Sequence, residues 1–387
     1  MRLSARAEGV ALSITLALDA RAKELAASGR DVVNMAVGEP DAPAPAVARA
    51  AAVARVESCD VRYTPAAGTP SLRRALAAHV TETRGRHHGP EQIVVCHSGK
   101  HALSGACTAL FDPGDELLIP QPSWVSYVEI ARVTGLVPVP TAGRPDCGPD
   151  LEALAAACTP RTRGVLINSP CNPSGYVWSR GELATLVELA ERHDLWIVSD
   201  EIYRRLVYGE RPFVSPVELG DAAAARTVIV DGASKTYAMT GYRIGFAAGP
   251  AAAIAGIARV HSQMTGSPNT VSQAAYEAVL APEPPEVAHM VETYARRRTL
   301  LLDGLEALGL RTPVPHGAFY AFPDVSEHLG GAADSGEFCA RLLEEQGLVL
   351  VPGAAFGAPA HVRLSYALDD ERIRVALERL ATFIGRA

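Results

Sequence analysis

The chain has 387 residues, nearly half of them apolar, and a formal net charge of −7. That is enough apolar material for two domains or one large α/β unit, and it leaves no excess positive field for nucleic-acid phosphates or an anionic bilayer. Seven cysteines stand singly, with no CxxC pair and no zinc-ligand spacing, so no metal is expected and reduced thiols in a cytoplasmic protein are.

At the N-terminus, Arg2 and Arg6 followed by the apolar stretch from Gly9 to Leu18 faintly resemble a secretory signal. Ser13 and Thr15 interrupt that stretch and the charged run from Asp19 to Glu24 follows at once, so a signal is not expected. No segment approaches the roughly twenty apolar residues of a membrane span.

Further along, short apolar runs at 92–95, 116–119, 164–167, 196–199 and 227–230 predict buried strands of a mostly parallel sheet. Segments with helical spacing, such as Arg180 to His193, alternate with them as in a doubly wound fold. Ligands in such sheets sit beyond the carboxyl ends of the strands. The residues there are polar: Ser98-Gly-Lys100, Ser123-Trp124, Asn172, Asp200 to Tyr203, and Asp231 to Lys235. Pro282, Pro284 and Pro285 mark a linker, a helix is predicted over Val287 to Leu308, and Ala318–Phe322 and Val362–Ser365 are strand candidates of a smaller α+β unit. The expected division is a large domain over 42–284 and a small one from 1–41 with 285–387.

A P-loop is excluded around Lys235, because Ser234 and Ile229 stand where its glycines are required. No G-x-G-x-x-G follows a strand with a downstream ribose-binding acid, so a dinucleotide site is weakly supported. Pyridoxal 5′-phosphate (PLP) chemistry asks for a lysine to carry the cofactor, an acid for its ring nitrogen and a cup for its phosphate. Lys235, Asp200 and the Ser98-Gly99-Lys100 turn supply each type.

The stretch from Ser234 to Gly245, with Arg243 eight residues after Lys235, resembles the lysine motif of fold type I (class I) PLP-dependent aminotransferases. The likeness runs from Gly38-Glu-Pro-Asp41 to Arg363-Leu-Ser-Tyr366, and within the family it is nearest the subgroup of prokaryotic aspartate aminotransferases. The resemblance implies that Lys235 forms the Schiff base with PLP and that Asp200 pairs with the pyridinium nitrogen. It implies that Tyr203 and Asn172 face the cofactor's phenolic oxygen and that Trp124 stacks on the ring. Ser98, Gly99, Lys100, Ser234 and Arg243 are then expected around the cofactor phosphate. Tyr63 is expected to reach that phosphate from the other subunit of a homodimer.

On the substrate side the resemblance places Arg363 and Gly38 at the α-carboxylate, with Asn172 and Trp124 beside it. Lys100 and Thr15 match groups that contact the distal carboxylate of a dicarboxylic donor such as aspartate or glutamate. The implied reaction moves an amino group between an L-amino acid and a 2-oxo acid by a ping-pong path. Two alternatives stay open at this point: a PLP lyase, cyclase or oxidase of the same fold, and a non-catalytic PLP-binding regulator. Three positions depart from the common pattern: Gly232 where many relatives have serine, Ser123 where tyrosine commonly precedes the tryptophan, and His101 where glutamine often follows the lysine.

Overall fold

In the computed structural model the described residues are all but 1, 11–13, 330, 331, 386 and 387. Among them are twelve strands: β1 (Val33–Asn34), β2 (Ile93–Cys96), β3 (Glu116–Pro120), β4 (Val137–Thr141), β5 (Thr162–Asn168), β6 (Trp196–Asp200), β7 (Thr227–Gly232), β8 (Gly245–Ala248), β9 (Tyr320–Ala321), β10 (Leu348–Val349), β11 (Val351–Pro352) and β12 (Val362–Ser365). Seven of them form one sheet in the order β2-β8-β7-β6-β5-β3-β4. Only β8 runs against its neighbours; the remaining pairs are parallel.

The apolar runs build this sheet because both of its faces are covered. Ile93 and Val95 pack into one core cluster and Val94 and Cys96 into another, which is the period-two alternation of a strand buried on both sides. All five strands expected from apolar runs are present, each within about two residues of its expected ends. Two further strands carry no such signal. β4 reads Val-Pro-Val-Pro-Thr, and its prolines are tolerated because it is the edge strand. β8 reads Gly-Phe-Ala-Ala; it lies between β2 and β7, and a Cβ at Gly245 would stand 2.7 Å from the Gly99 nitrogen.

The helices start where the sequence offers caps. Ser98 caps the helix Gly99–Leu110, and Ser179 with Glu182 forms a capping box at Arg180–Arg192. The helix expected over Val287 to Leu308 spans Pro285–Ala307, starting at the proline. Beyond it, β11-β12-β9 form an antiparallel sheet, while β1 pairs parallel with β10 and so brings residues 33–34 to the C-terminal part of the chain. Val33, Met35, Phe319, Leu348 and Leu364 share one core cluster there. The strand candidate Ala318–Phe322 is shorter than expected, because Ala318 takes a left-handed φ of 59° and only Tyr320 and Ala321 pair. No helix among the described residues is long and apolar enough to cross a membrane.

Candidate active site

The carboxyl ends of β2, β5, β6 and β7 open into a cleft of about 650 Å3, whose far wall carries Gly38, Glu39, Tyr320 and Arg363. Ser98, Gly99, Lys100, Trp124, Asn172, Asp200, Tyr203, Ser234, Lys235 and Arg243 line it as well. Ten strand-end and loop residues singled out from five separate stretches of sequence thus meet in one place with Gly38 and Arg363. The chain contains only three lysines, Lys23, Lys100 and Lys235, and all three line this cleft.

Lys235 sits on the four-residue helix Ala233–Thr236 immediately after β7, and its Nζ donates to the Gly38 carbonyl at 2.5 Å. Burial draws its ammonium down to about 8, with Glu39 opposing and Arg363 and Arg243 adding to the effect. Three residues earlier, a Cβ at Gly232 would lie 2.9 Å from the backbone of Ile244 and Gly245. The absent serine therefore reflects close strand packing.

Asp200 ends β6 almost fully buried. Its Oδ2 accepts from the Tyr127 hydroxyl at 2.8 Å and its Oδ1 from the Ile202 amide at 3.1 Å. Burial pushes its carboxyl up to about 7, and the Tyr127 hydrogen bond only partly offsets that. Just behind it lies a buried charge lattice. Arg84 bonds Glu201 at 2.9 Å and Asp231 at 2.8 Å, and Arg204 bonds the same Asp231 oxygen at 2.9 Å and contacts His79. Glu201 also accepts from Ser199 and Ser215. Glu201 follows β6 and Asp231 lies in β7, so the lattice ties together the two strand ends that carry Asp200 and Lys235.

Arg363, on β12, is buried with its guanidinium between the rings of Tyr320 (4.4 Å) and Phe356 (5.2 Å). Its Nη1 donates to Asn172 Oδ1 at 2.9 Å and its Nη2 to the Ala36 carbonyl at 2.7 Å. Its Nε has no partner, and among the described residues no carboxylate pairs with it. A buried, unneutralised guanidinium of this kind is a receptor for an anion.

Trp124 stands edge-on to Tyr127 at 5.4 Å, and Lys100 Nζ lies 4.7 Å above its ring while donating to Ser126 Oγ at 3.1 Å. Ser98 Oγ accepts from the His101 amide, leaving the Gly99 and Lys100 amides at a helix start that faces the cleft. Arg243 adopts a left-handed φ of 51°, its Nη1 bonded to the Thr240 carbonyl. Tyr63 is 98 % exposed and does not line the cleft of its own chain. The side chain of Thr15 lies outside the described residues.

Tyr127 and Tyr320 are among the cleft residues not expected from the sequence. Tyr127 had a detectable signal, since it follows Trp124 by three residues at the start of a helix and so shares its side. Tyr320 had none, because it lies in an apolar run that reads as core; its hydroxyl is 2.9 Å from that of Tyr203.

A buried low-pKa lysine, a strand-end carboxylate and a helix N-terminus beside an arginine are the donor set that PLP requires, so the residues present fit that cofactor. The family model described as aminotransferase class I and II matches residues 30–380. The chain belongs to this family. An aspartate/prephenate aminotransferase from Thermus thermophilus is 44% identical over 100% of this chain and 99% of its own length. An aspartate aminotransferase from Geobacillus stearothermophilus is 40% identical over 99% of each. The solved aspartate aminotransferase from Thermus thermophilus with maleate superposes with a TM-score of 0.94 at 42% identity, covering 99% of this chain and 100% of that one. The protein is thus a PLP-dependent aminotransferase that moves an amino group between an amino acid and a 2-oxo acid, and the lyase, cyclase, oxidase and regulator alternatives lose their support.

Proposed function

We propose that this aminotransferase takes aspartate or glutamate as amino donor, with Lys235 carrying the cofactor and Arg363 holding the substrate α-carboxylate. The observation that carries the reading is the buried Arg363 guanidinium, unneutralised by any described carboxylate and facing the same cleft as the Lys235 amine.

In this reading PLP supplies an electron sink for the pair left at the substrate Cα once its proton is removed. Asp200 would keep the ring nitrogen protonated, and the cationic nitrogen would in turn favour the ionised carboxylate that burial alone disfavours. Tyr203 and Asn172 would face the phenolic oxygen, Trp124 would cover the ring, and Ser98, Gly99, Ser234 and Arg243 would hold the phosphate. Arg363 grips the α-carboxylate as a fork, aided by the Gly38 backbone, where glycine leaves room for the Tyr320 hydroxyl. Lys235 Nζ, with a pKa near 8, is present in part as free amine near neutral pH and takes the Cα proton as general base. The kinetics are ping-pong.

Lys100 and Thr15 are assigned to the distal carboxylate of the donor. Lys100 suits this because an ammonium on a flexible stem can pair an acid and swing aside for a neutral side chain. A panel of amino donors and 2-oxo acids, with products identified by mass, tests the assignment. Lys100→Ala should lower kcat/KM for the dicarboxylic donor roughly ten- to a hundredfold, about 1.4 to 2.7 kcal/mol, while sparing neutral donors. A uniform loss across donors would give Lys100 to the phosphate instead, and failure of the unmodified enzyme to use any dicarboxylate would end the proposal.

We further propose a cytoplasmic homodimer of chains divided into a large domain (42–284) and a small one (1–41 with 285–387), in which Tyr63 reaches the partner's phosphate site. The support is the full exposure of this tyrosine beside half-exposed Val61. Mixed dimers of Lys235→Ala and Tyr63→Phe chains put both lesions in one site and leave the other intact, so part of the activity should return. Verified heterodimers without recovery would show that Tyr63 does not act across the interface.

A further inference from the structure

We infer that Tyr320 is a positioning residue that holds the carboxylate-binding arginine with its ring and the cofactor-facing tyrosine with its hydroxyl. The inference rests on the roles proposed above for Arg363 and Tyr203. Tyr320 is fully buried at the start of β9, where its ring covers the Arg363 guanidinium at 4.4 Å and its hydroxyl meets that of Tyr203 at 2.9 Å. Pairing with Ser365 on β12 fixes its backbone two residues from Arg363. A Cβ at Gly38 would come within 3.2 Å of the Tyr320 oxygen, so the wall opposite Lys235 is shaped around this hydroxyl.

A phenol has one proton to give. If Tyr203 donates its proton to the cofactor's phenolic oxygen, the 2.9 Å contact must be filled by the proton of Tyr320. Donation into the Tyr203 oxygen polarises its O–H and makes it the better donor, which stabilises the phenolate form of the cofactor. The ring does a separate job: it supports a guanidinium whose Nε is unpartnered and keeps its fork in the plane the substrate carboxylate meets.

The two parts separate by mutation. Tyr320→Phe keeps the ring and removes the hydroxyl, whereas Tyr320→Leu removes both. The readouts are the pH midpoint of the holoenzyme's visible absorption band and the KM for the amino donor. Tyr320→Phe should raise the midpoint by about half to one pH unit, the equivalent of one net hydrogen bond, and leave KM within about twofold. Tyr320→Leu should raise the midpoint similarly and KM roughly tenfold. The inference is overturned if Tyr320→Phe titrates like the unmodified enzyme, or if Tyr320→Leu leaves KM unchanged. Tyr203→Phe is the control: if it shifts the midpoint and Tyr320→Phe does not, only this inference fails, and if neither shifts it, the proposed role of Tyr203 fails too.

Discussion

Replacing Lys235 by alanine is expected to lower turnover by about four orders of magnitude or more, the largest effect of any single change in the cleft. The amine is both the proposed point of cofactor attachment and the proposed base, and neither other lysine of the cleft is placed like it: Lys100 is engaged over Trp124 and with Ser126, and Lys23 is exposed. The attachment can be read without any assay. Borohydride reduction of the unmodified holoenzyme should fix a pyridoxyl group that peptide mapping finds on Lys235. Recovery of the label on Lys23 or Lys100, the only other lysines and both at the same cleft, would overturn the assignment.

Asp200→Ala is expected to cost about three orders of magnitude in turnover while leaving the pyridoxyl label on Lys235, because the carboxylate acts on the electron sink and not on the attachment. Its cost to the cofactor-free protein has the opposite sign. The folded-state pKa is raised from 3.8 to about 7, so what the group contributes to stability is fully present below about pH 4 and is lost as pH rises through 7. At 1.36 kcal/mol for each pH unit the loss above pH 7 amounts to roughly 4 kcal/mol. Cofactor-free Asp200→Asn should therefore resist urea better than the unmodified apoprotein at pH 8 and no better below pH 4. Identical urea midpoints at pH 8 would mean that Asp200 is not held in the strained electrostatic state described for it.

Much of this site was legible because PLP chemistry needs few residue types and the fold puts them at strand ends. Asp200 closes an apolar run and Lys235 and Asn172 follow theirs within about five residues, so the strand pattern and the chemistry point to the same places. β4 and β8 were not legible, since prolines at an edge and Gly-Ala at a close crossing are tolerated by neighbours that no local pattern records. The Arg84 lattice escaped for the same reason. Arg84 lies at the end of an ordinary amphipathic helix, and its partners are 117 and 147 residues away. Tyr320 read as core because it is core; only its hydroxyl, which a pattern of apolar residues ignores, belongs to the site.

The placement of all three lysines along one cleft bears on how the enzyme acquires its cofactor. An aldehyde condenses with unprotonated amines, and proteins studded with surface lysines capture it unselectively. Here the outer cationic surface is almost wholly arginine, whose guanidinium stays protonated and forms no such adduct under these conditions. All three side-chain amines line the cleft, Lys23 and Lys100 exposed at it and Lys235 the least exposed; burial lowers Lys100 as well, and draws Lys235 down to about 8. Loading of the apoprotein should therefore favour Lys235, with Lys23 and Lys100 the only other side-chain amines able to capture the aldehyde.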